Sequence, residues 1–192
     1  MMTKRLSQPP FPTPGPRIVV VGTAGSGKTT IAKWLADLIG SEHIELDALH
    51  WGPNWTEAPI ETFRQRVEQA LAGSTWVVDG NYHKVRDLTW GRATTLVWLD
   101  YNLPVVLWRL VWRTVGRLFK REELWNSNRE TFKNAFLSRN SLFLFAISSQ
   151  GRQRTAYPQV LKNSEYAHLQ IIHLCSPKET NQWLERLVKE YN

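Results

Sequence analysis

Apolar and polar positions along this chain switch repeatedly between two periods. Arg17-Ile18-Val19-Val20-Val21 is a β-branched run ending at a glycine, and residues 29 to 39 then turn to helical spacing through Ile31, Leu35, Leu38 and Ile39, with Gly40 as the stop. His43-Ile44-Glu45-Leu46-Asp47 reads as a second strand. Pro59 opens a helix that places Ile60, Phe63, Val67 and Leu71 on one buried face. Trp76-Val77-Val78-Asp79 and Leu96-Val97-Trp98-Leu99-Asp100 are two further strands of the buried type.

A long helical stretch follows over roughly 104 to 120, then a polar region with a capping box from Ser127 to Glu130, then an aromatic segment at 132 to 145. Leu169 to Leu174 is the last strand, and Ser176-Pro177-Lys178-Glu179 is a capping box opening a terminal helix with Trp183, Leu184, Leu187 and Val188 inward. Five strands alternating with helices predict an α/β fold, a parallel sheet covered on both faces. Residues 17–192 read as a single domain with an insertion over about 104–165. Residues 1–16 carry Pro9, Pro10, Pro12, Pro14 and Pro16 and read as a disordered or polyproline-like tail.

Composition narrows the class. With 42% hydrophobic residues and ten tryptophans the chain can build a core, yet it contains no charge-free run of about 18 apolar residues to span a bilayer. A single cysteine, Cys175, excludes an internal disulfide and a thiolate metal cluster and suits a reducing compartment. The expectation is a cytoplasmic protein with no membrane partner. The formal charge of +7 implies affinity for anions, which nucleotides, phosphorylated metabolites and nucleic acid would all satisfy.

One motif selects among these. Gly22-Thr23-Ala24-Gly25-Ser26-Gly27-Lys28-Thr29 matches the phosphate-loop pattern G-x-x-x-x-G-K-[ST], between a strand and a helix. The glycines let successive N–H groups point at an anion, and the following helix adds its positive end. Lys28 is assigned to the β- and γ-phosphates of ATP and the Thr29 hydroxyl to Mg²⁺; Thr30 completes the nucleotide-binding set. A dinucleotide-binding turn needs glycine where Ala24 stands.

In a parallel sheet the ligand lies beyond the carboxyl ends of the strands, where Asp47, Asp79 and Asp100 all fall. A carboxylate there can orient a metal-bound water or receive the acceptor's proton. Asp79 and Asp100 each close an apolar run, so either fits the magnesium-side role. Arg109, Arg113, Arg117 and Arg121 recur every four residues beside Trp108, Val111, Trp112 and Val115. That basic stripe is either a phosphate clamp or a solvated helix face, and Arg109 and Arg113 are its catalytic candidates. Arg152 and Arg154 lie in a polar stretch suited to the same end. Trp51 and Trp55 would either stack on a base or pack in the core; the histidines show no metal-ligand grouping, and Cys175 reads as a small buried residue.

Leu46-Asp47-Ala48-Leu49-His50-Trp51, Pro53-Asn54-Trp55, Val78-Asp79-Gly80-Asn81-Tyr82 and the segment from Leu124 to Glu130 together resemble the adenylate-kinase-like P-loop proteins often labelled topology modulation proteins. The resemblance runs from about Arg17 onward. It implies a P-loop three-layer sandwich with strand order 2-3-1-4-5 and a helical lid between the fourth and fifth strands. It also places Asp47 near an acceptor hydroxyl and favours Asp79, beside Thr29, for the magnesium side. Adenylate kinases continue their Asp-Gly with Phe-Pro-Arg, whereas this chain continues with Asn81-Tyr82-His83, which counts against AMP as the acceptor. The expected activity is Mg²⁺-dependent transfer of the ATP γ-phosphoryl group to a nucleotide, nucleoside or other small hydroxyl acceptor. The alternatives are a regulatory ATPase whose basic face contacts nucleic acid, and a nucleotide-binding protein without turnover.

Overall fold

The computed structural model describes residues 12–120 and 142–191, with only the backbone described for 117–120 and 142–143. Chain order is β1 (Arg17–Gly22), α1 (Lys28–Ile39), β2 (His43–Glu45), α2 (Leu46–His50), α3 (Ile60–Ala70), β3 (Trp76–Asp79), α4 (Arg86–Thr89), β4 (Thr95–Leu99), α5 (Leu103–Lys120), α6 (Leu142–Val160), β5 (Gln170–Leu174) and α7 (Pro177–Tyr191). The strands form one parallel sheet in the order β2-β3-β1-β4-β5, as the resemblance implied.

Alternation along β1 assigns its side chains to two cores. Val19 and Val21 join Ile44, Phe63, Val67, Trp76, Trp98 and Tyr157 under α2, α3, α4 and the second half of α6. Ile18 and Val20 join Leu35, Val97, Val106, Leu110, Ile172, Trp183 and Leu187 under α1, α5, α7 and the first half of α6. Both faces of β1 are therefore dry, which is why its sequence is an unbroken β-branched run rather than an alternating one.

Two local readings change. The run from His43 is extended only as far as Glu45, and Leu46–His50 winds into a short helix, so Asp47 stands on α2 instead of ending a strand. The polar stretch holding Arg152 and Arg154 is helical, within α6. Arg121, the Ser127 to Glu130 capping box, most of the aromatic segment and Leu124 to Glu130 lie outside the described residues.

Ser176 caps the terminal helix, its Oγ accepting from Glu179 N–H at 3.2 Å, while Glu179 Oε2 accepts from Cys175 N–H at 2.8 Å, one residue before the Ser176 amide of a regular capping box. Ahead of β1, Pro14 is buried, Gly15 N–H donates to Thr95 Oγ1 at 2.9 Å, and Pro16 O accepts from Trp76 N–H at 3.1 Å. Among the described residues no helix is long and apolar enough to cross a membrane. Leu35, fully buried between α1 and the sheet, is expected to lose about 2–5 kcal/mol on replacement by alanine, read by chemical denaturation.

Candidate functional site

The phosphate loop joins β1 to α1 and is wedged against α5. Gly25 has φ +84°, and a Cβ there would lie 2.7 Å from Val106 O and 3.2 Å from Leu110 Cβ, so only glycine lets α5 come this close. Gly27 turns the chain into α1 at φ +95°. Neither the Gly25 nor the Gly27 amide has a hydrogen-bond acceptor among the described residues, and Ser26 Oγ is buried with no partner. A loop with unsatisfied donors at a helix N-terminus fits a phosphate chain.

Lys28 lies half-buried across this loop, with Nζ donating to Thr23 O at 3.2 Å. Loss of hydration pushes its ammonium below the usual lysine range; the charges of Asp79 and Asp47 push it back up, and that of Arg113 lowers it further. Those influences place all four groups in one electrostatic neighbourhood. Arg109, on α5, reaches the loop directly: its Nη1 donates to Ser26 O at 3.0 Å, and its guanidinium lies 5.2 Å from the centre of the Tyr101 ring. The Arg117 side chain and Arg121 are outside the described set. Trp108 and Trp112 are exposed and meet edge to face at 5.4 Å, so these two of the residues expected on the apolar side of the stripe face solvent, while Val111 and Val115 are half-buried.

Asp79 ends β3 in register with Val20 and is buried. Its Oδ2 accepts from Thr29 Oγ1 at 2.7 Å, and its Oδ1 lies 3.3 Å from His43 Nε2. A hydroxyl and a carboxylate held together at the loop are hard oxygen donors of the kind Mg²⁺ takes, so the residues present fit that ion. Asp100 is engaged elsewhere, with Oδ1 accepting from Arg154 Nε at 2.6 Å and Oδ2 lying 3.1 Å from His173 Nε2. Arg154 is thus tied to Asp100, and Arg152 is exposed on α6.

Asp47 Oδ1 accepts from Tyr82 OH, and the Trp51 side chain hydrogen-bonds Tyr82 in turn. Burial first, and the Asp47 charge second, push the Tyr82 phenol far above its ordinary range, so it stays a donor. Trp51 and Trp55 are half-buried and meet at 5.8 Å, forming an aromatic rim with His50, Phe63 and Tyr82. Cys175 is exposed rather than buried; partial desolvation and the charges of Glu179 and Asp100 push its thiol up.

Sequence reasoning gave no role to Asn81, Tyr82 or His43. Asn81 closes a two-way bridge to the start of the phosphate loop, Oδ1 accepting from Gly22 N–H at 3.3 Å and Nδ2 donating to Gly22 O, while Tyr157 OH donates to the same Oδ1 at 3.2 Å. Thr23 faces α6, its Oγ1 donating to Ala146 O at 3.1 Å and lying 2.8 Å from Ser149 Oγ, so its side chain anchors the loop to that helix. Thr29 and Thr30 are exposed in the first turn of α1.

Strand order, phosphate loop and flanking helices together define the fold of the small P-loop kinases. Solved structures with this arrangement include a shikimate kinase from Acinetobacter baumannii in complex with shikimate, at 18% identity and a TM-score of 0.53, covering 91% of this chain and 92% of that one. A gluconokinase from Sinorhizobium meliloti 1021 matches at 19% identity and a TM-score of 0.50, covering 92% and 95%. No family model and no curated relative matches the sequence.

His50 carries a pH consequence. It is buried, and desolvation pushes its imidazole below the ordinary range, so the folded chain holds it neutral while the unfolded chain protonates near pH 6.5. The stability that depends on neutral His50 is complete above about pH 6.5 and is lost as pH falls from there towards the lower folded value. Denaturant titrations between about pH 7.5 and about pH 5 should show this acid-side slope flattened in His50→Asn; parallel profiles for the two proteins would contradict it.

Proposed function

We propose that this chain is a small-molecule kinase that transfers the γ-phosphoryl group of ATP to a hydroxyl acceptor. The observation that carries the reading is the grouping of Lys28, the Thr29–Asp79 pair, Arg109 and Asp47 around one phosphate loop. Phosphoryl transfer needs little covalent chemistry from a protein; it needs positioning and charges set where negative charge develops. The fold neighbours, a shikimate kinase and a gluconokinase, are named for the same class of reaction.

In this reading the amides of Gly25 and Gly27 and the Lys28 ammonium hold the phosphates, with Arg109 and Arg113 facing the transferring group from α5. Thr29 and Asp79 would hold Mg²⁺, which supplies neutralisation of phosphate charge when bound. Asp47 accepts the proton of the acceptor hydroxyl as its oxygen bonds to the γ-phosphorus and the bond to the β,γ-bridging oxygen breaks. Tyr82 orients Asp47 from the other carboxylate lone pair and keeps its own proton.

The acceptor side also bears on specificity. Where adenylate kinases carry an arginine, this chain has Asn81-Tyr82-His83, with Asn81 engaged by Gly22 and Tyr82 by Asp47. The adenylate-kinase-like placement therefore concerns the scaffold and the donor side, and the aromatic rim with a single carboxylate suits a hydroxylated acceptor better than AMP.

Lys28→Ala should reduce phosphoryl transfer by at least about a thousandfold with the circular-dichroism spectrum unchanged; undiminished turnover in the folded variant would remove the mechanism. The assay is Mg²⁺-ATP consumption across nucleosides, monophosphates, small hydroxy acids and sugars, and short DNA. Acceptor-independent hydrolysis stimulated by DNA would replace the kinase reading with a nucleic-acid-linked ATPase. Asp47→Asn should lower kcat by about a hundredfold or more while leaving the KM for ATP within a fewfold. A matching loss of ATP affinity would move Asp47 to the donor side.

A further inference from the structure

At the carboxyl ends of β4 and β5, three side chains outside the phosphate site converge. Trp98 on β4 is in register with His173 on β5, so Asp100 and Cys175, each two residues further on, project from the same face just past the strand ends. His173 Nε2 lies 3.1 Å from Asp100 Oδ2 and 3.7 Å from Cys175 Sγ, and the three donor atoms all lie within 4.8 Å of one another.

The arrangement is not that of a proton relay. In a Cys-His-Asp relay the carboxylate and the thiol occupy opposite nitrogens of the imidazole, so that a proton taken at one is balanced at the other. Here both face the same nitrogen, Nε2. An Nε2–H can be shared between the carboxylate and the sulfur but passes no proton through the ring, whereas a cation placed among the three atoms would be ligated by all of them. For tetrahedral zinc, ligand bonds of about 2.0–2.1 Å to N and O and about 2.3 Å to S set the N···O and N···S separations at about 3.3 Å and about 3.6 Å. The observed 3.1 and 3.7 Å bracket that geometry.

Two of the three ligands are already oriented by groups behind them. The His173 ring stacks on Trp98 with centroids 4.1 Å apart and planes 13° from parallel. Arg154 holds the other carboxylate oxygen, Oδ1, at 2.6 Å, which turns Oδ2 towards His173. Such outer contacts are how metal sites fix ligand direction. A thiolate, a carboxylate and a neutral imidazole balance a dication, so the Arg154 guanidinium would face a neutral centre.

We propose that Asp100, His173 and Cys175 form a three-ligand site for a borderline transition-metal ion of the Zn²⁺ class, with a fourth position open to solvent. It joins β4 to β5, uses none of the residues assigned to the nucleotide, and stands whether or not the chain is a kinase.

Cobalt(II) is the probe, titrated into the full-length chain under reducing conditions. The chain has one cysteine, so a thiolate-to-cobalt charge-transfer absorption in the near ultraviolet can come from Cys175 alone. The expected result is a band saturating at one equivalent, displaced by Zn²⁺, abolished in Cys175→Ser and His173→Ala, and requiring at least about tenfold more cobalt in Asp100→Asn. In the unmodified chain Zn²⁺ should also protect Cys175 from alkylation, and a chelator should restore its reactivity, which keeps the proposal testable if a variant fails to fold. Absence of the band with unaltered Cys175 alkylation overturns the site, as does cobalt binding that is the same in Cys175→Ser.

Discussion

The constraint on which the rest of the structure depends is the approach of α5 to the phosphate loop. At Gly25 the loop and the helix are so close that a methyl group would collide with the Val106 carbonyl. That closeness brings Arg109 within hydrogen-bonding reach of Ser26 O and gives Arg113 its influence on Lys28. Thr23 adds a second anchor through Ala146 and Ser149 of α6, so the loop is held from β1, α5 and α6 at once. A loop restrained in this way presents its amides without reorganising, which is what electrostatic catalysis of phosphoryl transfer requires.

Carboxylates divide the space around Lys28. Asp79 has both oxygens engaged, one by Thr29 and one by His43, and is buried at the carboxyl end of β3, an interior strand beside β1. Asp47 has one oxygen held by Tyr82 and stands on α2, against the aromatic rim. Buried charge is tolerable only where it is partnered: Thr29 and His43 do this for Asp79, and the charges of both aspartates act on the Lys28 ammonium. The donor and acceptor halves of the proposed reaction therefore share one cation.

Much of this was legible in the sequence. Strands buried on both faces leave β-branched runs, and the phosphate loop carries its spacing in glycines, so both could be read directly. Leu46–His50 could not, because Leu46 and Asp47 continue the alternation of β2 and nothing local marks the switch to helix. Helix α6 was obscured because its inward positions Ala146, Ser149 and Gln150 are small or polar and leave no apolar stripe. From the apolar runs alone Asp79 and Asp100 could not be told apart, for a topological reason: β3 and β4 both flank β1, and only the partners differ, Thr29 and His43 for one, Arg154 and His173 for the other. The roles of Asn81 and Tyr82 were not readable because they lie in hydrogen bonds to residues dozens of positions away.

Those two neighbours, Asn81 and Tyr82, have a thermodynamic implication. Asn81 grips Gly22 at the root of the phosphate loop, and the next residue grips Asp47, so a single peptide unit links the two halves of the site. In the proposed reaction a shift of Asp47 towards an incoming hydroxyl would pull on Tyr82 and hence on the loop proposed to hold the phosphates. Linkage of this kind is reciprocal: whatever one ligand does to the affinity of the other must be returned in equal measure. The two substrates would then report on each other through two adjacent side chains, without any larger rearrangement of the sheet.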